Sequence, residues 1–570
     1  MPREKKIKVL FHSNHSRMLT GFGKNMKNLL LKLHADPDFE VFEAANGLYF
    51  GADAKTPWKC YGTLPSDQRV IQEIGGDPAK QQKASYGHYC IDQIVEDCKP
   101  DIYLGIEDIW AFREFEQKPW WNKTHKIIWT TLDSIPILPE AKFFADRTQK
   151  FLVWASFAQK ELQKLDCMNV DTLHGAIDYS HFKPLPNRSE IRKKFNLDDS
   201  FVVGFVFKNQ LRKSVPNLLD GFLLFKQQNP EVKAKLLLHT DWEERVHGWD
   251  IPRFLAEKQV PHEDILASYV CHKCANYFIH SYIGEGKDCP MCGSKETVRT
   301  KNSAIGVSEV QLNEVYNCMD VYCHPFTSGG QELPIQEAKA AGLITLVTDY
   351  SCGSDSCHLE QGGFALKWNE YREPQTQFIK ASTCPQSIAD QIKQVYNLSQ
   401  EQKKTIVDLG QSYIQQNFSL EVVSSKLKKI LKEVAEMELP QVEEQPPAPP
   451  QVFFEDLLDK DDEGKRIAVV IPESAEDVLM INALLQNIHS LYEDHHIYVL
   501  TRPQFFDLVE DNPCVHKLLP FQDGIDNLHL LEGKWEHKGY FEVAYLPHIG
   551  TQRHFSYHHN GKDKMQFSLR

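Results

Sequence analysis

The chain has 570 residues, 42 % hydrophobic and 25 % charged, a balance that fits a globular protein of about three domains and excludes a disordered or fibrous chain. Its formal net charge of −14 argues against a protein that coats a nucleic-acid duplex with basic surface, although a local basic groove can sit on an acidic body. No apolar run approaches the roughly 18–20 residues that span a bilayer, and the opening MPREKKIKVLF reads as a lead-in to a buried strand rather than a signal peptide.

Residues 7–11 (IKVLF) predict a short buried strand. A turn at residues 20–23 follows, carrying Gly21 and Gly23, and then Met26, Leu29, Leu30 and Leu33 recur at helical spacing. Strand, glycine turn and helix open a nucleotide-binding α/β unit. Further apolar runs at 101–105, 126–131 and 151–155 extend it into a mostly parallel sheet with helices on both faces. A second pattern starts with FVVGFVF at 201–207, a helix face of Leu218, Leu219, Phe222 and Phe225, and strands at 234–240, 321–325 and 343–348. The reading is therefore an α/β protein with a first domain over 1–186 and a second over 187–438, joined near Pro184 and Pro186. A Cys-rich insert interrupts the second domain at 268–302, and its final helix is expected to return to the first. A Pro-rich acidic linker at 439–463 leads to a small α/β domain with a polar tail at 464–570.

Three motifs carry chemistry. Cys271-His-Lys-Cys274 and Cys289-Pro-Met-Cys292 place two CxxC turns in one short segment, and four thiolates complete a tetrahedral zinc shell with no open position. The pattern reads as a zinc ribbon whose Zn2+ is structural, with His272 and His280 as bystanders. The competing readings are a redox dithiol or a partner-binding knuckle. Four of the 14 cysteines fall in these pairs and the rest form no framework, which points to a reducing cytoplasm. Lys208, Arg212 and Lys213 follow the strand at 201–207, and cations ahead of a helix suit a diphosphate, although such a loop is more often a solvated surface. Finally, TSGGQELPIQEAKAAGLITLVTDYSCGSD at 327–355 supplies Gly329, Gly330, Ser351 and Gly353 for phosphate-holding amides, and Glu337 as a carboxylate for ribose hydroxyls.

In this order the motifs resemble glycosyltransferase family 4. Residues 172–186 look like that family's His-Gly-Val-Asp-(three residues)-Phe-x-Pro signature, matched by His174, Gly175, Asp178, Phe182 and Pro184. The family's donor-diphosphate clamp is matched by Lys208 and Lys213, with Arg212 adjacent. Its long signature is matched by Leu312, Tyr316, Asp320, His324, Pro325, Leu333, Pro334, Glu337 and Ala338. Two positions depart from it. Gly329 stands where the family has its first glutamate, with Glu332 three residues later, and Asp133 is nearest to the family's first-domain histidine. Asp133 also suits a helix cap. Residues 466–502 resemble the N-terminal part of family 9 heptosyltransferases, matched by Asp477, Val478, Leu479 and Met480, with that enzyme's donor-binding half absent.

The resemblance implies the GT-B fold, two Rossmann-like domains facing across a cleft, and transfer with retention from a nucleoside-diphosphate sugar. Lys208 and Lys213 would hold the diphosphate, Glu337 the ribose, and Asp133 and Glu332 would lie near the sugar, with the Gly21 and Gly23 loop closing over the diphosphate. Cations and amides stabilise the departing charge, so no catalytic divalent metal is needed. The acceptor would be a glycan, a lipid-linked molecule or a protein. Two alternatives stand beside this reading: transfer to a modified DNA base, with the zinc ribbon gripping nucleic acid, and a non-catalytic nucleotide-sugar-binding scaffold.

Overall fold

The computed structural model describes residues 5–18, 20–244, 246–302, 305–439, 454–471, 474–521, 531–534 and 537–547. Most of the Pro-rich linker and the polar tail lie outside them. The chain forms two compact units, Met1–Gln441 and Val442–Arg570.

The first unit holds two parallel-based sheets. The first sheet has seven strands, β1 (Ile7–Asn14), β2 (Phe39–Tyr49), β3 (Lys59–Leu64), β4 (Ile102–Gly105), β5 (His125–Thr130), β6 (Lys150–Val153) and β7 (Val170–Thr172). Their order is β3-β2-β1-β4-β5-β6-β7, all parallel. Because both faces are covered, β4 and β5 are buried along their whole length, which is why they read as unbroken apolar runs. One face packs Met26, Leu29, Leu30 and Leu33 of the helix Gly21–His34. The same cluster contains Val423, Leu427 and Leu431 of the last helix, Leu420–Val434, which therefore crosses back to the first domain. Ion pairs Lys428–Asp36 (2.7 Å) and Lys432–Asp38 (2.5 Å) frame that contact. The other face is aromatic, with Phe112, Phe115, Trp120, Trp121 and Phe144.

The second sheet has eight strands: β8 (Phe201–Val206), β9 (Ala234–His239), β10 (Ile265–Cys271), β11 (Tyr277–Ser281), β12 (Val298–Thr300), β13 (Val321–His324), β14 (Thr345–Thr348) and β15 (Gly363–Leu366). Its main path is β11-β10-β9-β8-β13-β14-β15. The Cys-rich insert at 268–302 begins inside a strand of the sheet. β10 pairs in parallel with β9 through Ile265, Leu266 and Ala267, then continues and pairs antiparallel with β12 through Tyr269, Val270 and Cys271. β11 runs antiparallel along its other edge. The ribbon thus grows out of a strand of the sheet itself.

In both sheets the chain order reverses at one place, between β1 and β4 and between β8 and β13. Crevices at the carboxyl ends of strands at such switch points are where open α/β sheets bind ligands.

The second unit contains a four-stranded parallel sheet ordered Val515–Pro520, His496–Thr501, Arg466–Val470, Val543–Tyr545. Asp477 lies in the first turn of the helix Ala475–Asn482, its amide donating to the capping Ser474 hydroxyl, and Leu479 and Met480 are exposed on that helix.

Candidate functional site

The carboxyl end of β8 leads into a short 3-10 turn, Leu211–Lys213, and then into the helix Val215–Gln228, with Pro216 in its first turn. The turn folds Arg212 and Lys213 inward against Glu332, which immediately precedes the helix Leu333–Ala340. Arg212 and Lys213 each donate to one oxygen of the Glu332 carboxylate. His324, the last residue of β13, places Nε2 3.4 Å from the same carboxylate, and its Nδ1 is 2.9 Å from the Tyr322 hydroxyl. Lys213, Glu332 and His324 are all buried.

Burial opposes the charge on Glu332, but Arg212 and Lys213 outweigh it and hold the carboxyl well below its usual range. Burial and the neighbouring Arg212 lower the Lys213 pKa to about 8. Burial lowers that of His324 to about 4, so this imidazole is neutral near pH 7. Buried charges are costly unless paired, and this knot of charges sits at the switch point of the second sheet.

Gly329 explains the shifted glutamate. A Cβ at position 329 would lie 2.7 Å from Glu332 Oε1 and 3.4 Å from Arg212 Nη1. The Glu332 side chain therefore fills the space beside Gly329, and a side chain at 329 would collide with it.

Asp133 faces this region from the first domain. Its carboxylate accepts from Ser134 (2.7 Å) and from Ser328 (3.1 Å) of the second domain, and Lys380 Nζ stands 3.8 Å away. Asp108 lies near by, accepting from Thr131 at 2.5 Å, and burial raises its pKa. Ser351 Oγ is 2.7 Å from the Asp133 carbonyl and 2.8 Å from the Gly329 carbonyl, so it links both domains. Gly330 must be glycine for the domains to meet, since a Cβ there would lie 2.3 Å from Cβ of Thr131. Gly353 is closed off in the same way by the Thr348 carbonyl oxygen at 2.0 Å.

Glu337 is buried one helical turn beyond Glu332 and accepts from the Tyr316 hydroxyl at 2.8 Å. Burial raises its pKa, while Lys24 of the first domain and Lys301 pull it down. Lys208 is exposed and stands outside the Arg212–Lys213–Glu332 knot. Gly21 and Gly23 do not form a loop. Thr20 caps the helix Gly21–His34 by accepting from Gly23 N at 3.0 Å, which draws both glycines into the first helical turn. Gly21 still faces the second domain, because a Cβ there would lie 3.8 Å from Leu333.

Several cross-domain contacts were not read from the sequence. Gln331 Nε2 donates to the Gly175 carbonyl (3.1 Å), and Gly175 N donates to Gln331 Oε1 (2.6 Å). Asp355 accepts from the amide of Ser156 (2.8 Å) and from its hydroxyl. A hairpin, Trp368–Arg372 with Ile379–Thr383, reaches the first domain, where Ile379 N donates to the Ile135 carbonyl (2.8 Å). Lys380 in that hairpin donates to Ser134 and Ser328, each at 2.7 Å. Gln331 has a signal, since it falls inside the SGGQELP loop; Lys380 lies beyond every motif.

The four ribbon cysteines converge. Their Sγ atoms all lie within 4.8 Å of one another, with Cys271–Cys292 at 3.8 Å and Cys274–Cys289 at 3.7 Å. A tetrahedron with Zn–S bonds of about 2.3 Å has S–S edges of about 3.8 Å, so the set fits a zinc ion. Backbone amides of Lys273 and Cys274 donate to Cys271, and those of Met291 and Cys292 to Cys289, as thiolates require. Ala275 (φ 56°) and Gly293 (φ 69°) make the turn after each pair.

No protein-family model matches the chain, and no curated protein sequence matches it. Solved structures do resemble it. Sucrose-phosphate synthase from Thermosynechococcus elongatus superposes with a TM-score of 0.52 at 11 % identity, over 75 % of this chain and 99 % of that one. Anabaena HepE in complex with UDP-glucose gives a TM-score of 0.51 at 12 % identity, and its complex with UDP 0.50 at 13 %, each over 75 % of this chain and 100 % of that one. The two opposed parallel sheets and these likenesses give the fold as GT-B, with the Cys-rich ribbon in the second domain and a small α/β domain at the end. Among the described residues no helix is long and apolar enough to cross a membrane.

Proposed function

We propose that this protein is a retaining glycosyltransferase that moves a sugar from a nucleoside-diphosphate sugar to a hydroxyl-bearing acceptor. The observation that carries the reading is the knot in which half-exposed Arg212 and buried Lys213 meet buried Glu332 at the switch point of the second sheet, with Asp133 opposite on the first domain. A desolvated cluster of this kind is an expensive way to build a fold, and its position is where a diphosphate would lie. The GT-B likenesses support it, and among them HepE is recorded with UDP and UDP-glucose.

In this reading the donor diphosphate takes the charge of half-exposed Arg212, reinforced by buried Lys213, and exposed Lys208 adds to the positive rim. The amides at the start of the helix Val215–Gln228 add their dipole. Glu337 holds the ribose hydroxyls. As the sugar–phosphate bond breaks, negative charge grows on the leaving diphosphate, and fixed cations in a water-poor cleft stabilise it more than they stabilise the intact donor. Glu332 keeps both cations in place and, with Asp133, lies where positive charge develops on the sugar. Amides near Gly329, Gly330, Ser351 and Gly353 complete the wall. The hydrogen bonds that join the domains would exclude water and limit donor hydrolysis. The acceptor approaches from the first-domain side. Cys271, Cys274, Cys289 and Cys292 would hold a structural Zn2+, which supplies rigidity and no open coordination position.

The test is incubation with a panel of UDP, GDP and ADP sugars, measuring release of nucleoside diphosphate and the anomeric configuration of the product. Turnover with retention is expected for at least one donor. Absence of both binding and release across the panel would sink the proposal.

A further inference from the structure

The connection from β10 to the helix Glu309–Asn317 runs through residues 272–308. Strand-to-helix connections in such folds usually take about 2–6 residues, so this one is built for something besides joining. Its return strand, β12, ends at Thr300, and the next residue is Lys301.

The path to Lys301 is fixed at every step. Cys271 pairs with Val298 and Tyr269 with Thr300, so the strand that carries the first zinc-ligand candidate sets the register of β12. The Glu285 carboxylate, on the far limb of the ribbon, accepts from Thr300 N (2.7 Å) and from Thr300 Oγ1 (2.5 Å). Trp242 N donates to the same hydroxyl at 3.3 Å, and the Trp242 ring stacks on Tyr282 of the ribbon at 4.5 Å and 10°. Gln311 ties the start of the next helix to the ribbon by donating to the Ala275 carbonyl at 2.6 Å.

Lys301 therefore leaves a strand end held by pairing on β10, and the charge of Glu337 acts on it. It is half-buried, with its Cγ 3.9 Å from the Cβ position of Gly306. Its ammonium has no hydrogen-bond or ion-pair partner among the described residues. The charges around it are Glu337 and Asp241, which favour it, and Lys24 and Lys208, which oppose it. Burial lowers its pKa first of all. Lys24 and Lys301, from separate elements, thus act on one buried carboxylate, and Lys208 acts on Lys301. Lys24 comes from the first helix, Lys208 from the loop after β8, and Lys301 from the ribbon. Lys24 pairs with Glu309 at 3.5 Å, which leaves Lys301 as the cation of this group open to an anionic ligand.

We propose that Lys301 is a donor-binding residue, contacting the nucleoside-diphosphate part of the sugar donor beside Glu337, and that the cysteine ribbon exists to deliver it. This rests on the nucleotide-sugar reading above.

The experiment titrates UDP, GDP and ADP by calorimetry into the full chain and into Lys301→Ala, Lys301→Arg and Glu285→Ala. Loss of one charge-assisted contact predicts about tenfold weaker binding of the best nucleotide by Lys301→Ala, and Lys301→Arg restores most of it. In turnover, Lys301→Ala raises KM for the donor while kcat stays within about twofold, the pattern of a residue that binds without acting on the bond that breaks. Glu285→Ala, which removes two of the hydrogen bonds that hold Thr300, weakens the same nucleotide several-fold. Wild-type binding with an unchanged Lys301→Ala affinity overturns the inference and leaves the donor reading intact. An unaffected Glu285→Ala beside a weakened Lys301→Ala overturns delivery by the ribbon. Failure of the wild-type chain to bind any of the three overturns both.

Discussion

Gln331 and Gly175 exchange two hydrogen bonds across the interdomain cleft, one in each direction, at 3.1 and 2.6 Å. One side chain pairs with both the amide and the carbonyl of a residue in the opposite domain. The contact ties the two domains together at this point.

Replacing that contact tests closure. Gln331→Ala removes a pair of hydrogen bonds worth about 1–2 kcal/mol, so kcat/KM for glycosyl transfer should fall about tenfold. The radius of gyration in solution should rise by small-angle scattering. Unchanged scattering and unchanged turnover would mean that the two hydrogen bonds do not hold the cleft.

Lys213 gives a pH dependence of defined sign. Its pKa stands at about 8 because burial and Arg212 disfavour the cation. A diphosphate binds the protonated form, so nucleotide affinity is full below that value and falls as pH rises through it. Calorimetric titration of UDP across this range should show the decline, and Lys213→Met should flatten the profile while weakening binding throughout. A wild-type affinity that stays level through pH 8 and above would exclude Lys213 as the titrating contact.

Glu332 neutralises two cations in a buried setting. Glu332→Gln leaves Arg212 and Lys213 facing each other, which should cost about 3–5 kcal/mol of stability in the free protein. Bound UDP replaces the missing negative charge, so its stabilising effect on thermal unfolding should exceed that seen with the wild-type chain. Equal nucleotide-induced shifts in the two proteins would place the diphosphate away from these cations.

The ribbon cysteines predict stoichiometric metal. Purified chain should carry one zinc, and Cys271→Ser should lose it by elemental analysis, with a lower melting temperature. A zinc content that the substitution leaves unchanged would assign the metal elsewhere.

Much of the scaffold was legible because parallel strands buried on both faces spell unbroken apolar runs, as FVVGFVF does at β8. The cations after β8 and the glutamate on the helix after β13 were legible because strand-end loops carry ligand groups in such folds. Other features hid for physical reasons. Gly21 and Gly23 suggested a loop, yet Thr20 caps a helix that begins at Gly21. Cys271 and its neighbours marked an insert in the second domain, but the cysteine spacing alone did not show that β10 runs from the sheet into it. Ser156 and Asp355 are 199 residues apart, and no local pattern announces a partnership between them. Lys380 shows the same limit. It is buried and donates to two serines that the fold brings together, and its sequence surroundings are those of an ordinary hairpin.

The double pairing of β10 has a consequence for modularity. Its first half belongs to the domain sheet and its last residue, Cys271, belongs to the thiolate centre. Residues 272–300 therefore do not form a portable cassette, since excising them leaves one sulfur ligand and its register behind. A graft of this ribbon onto another protein must take a sheet strand with it.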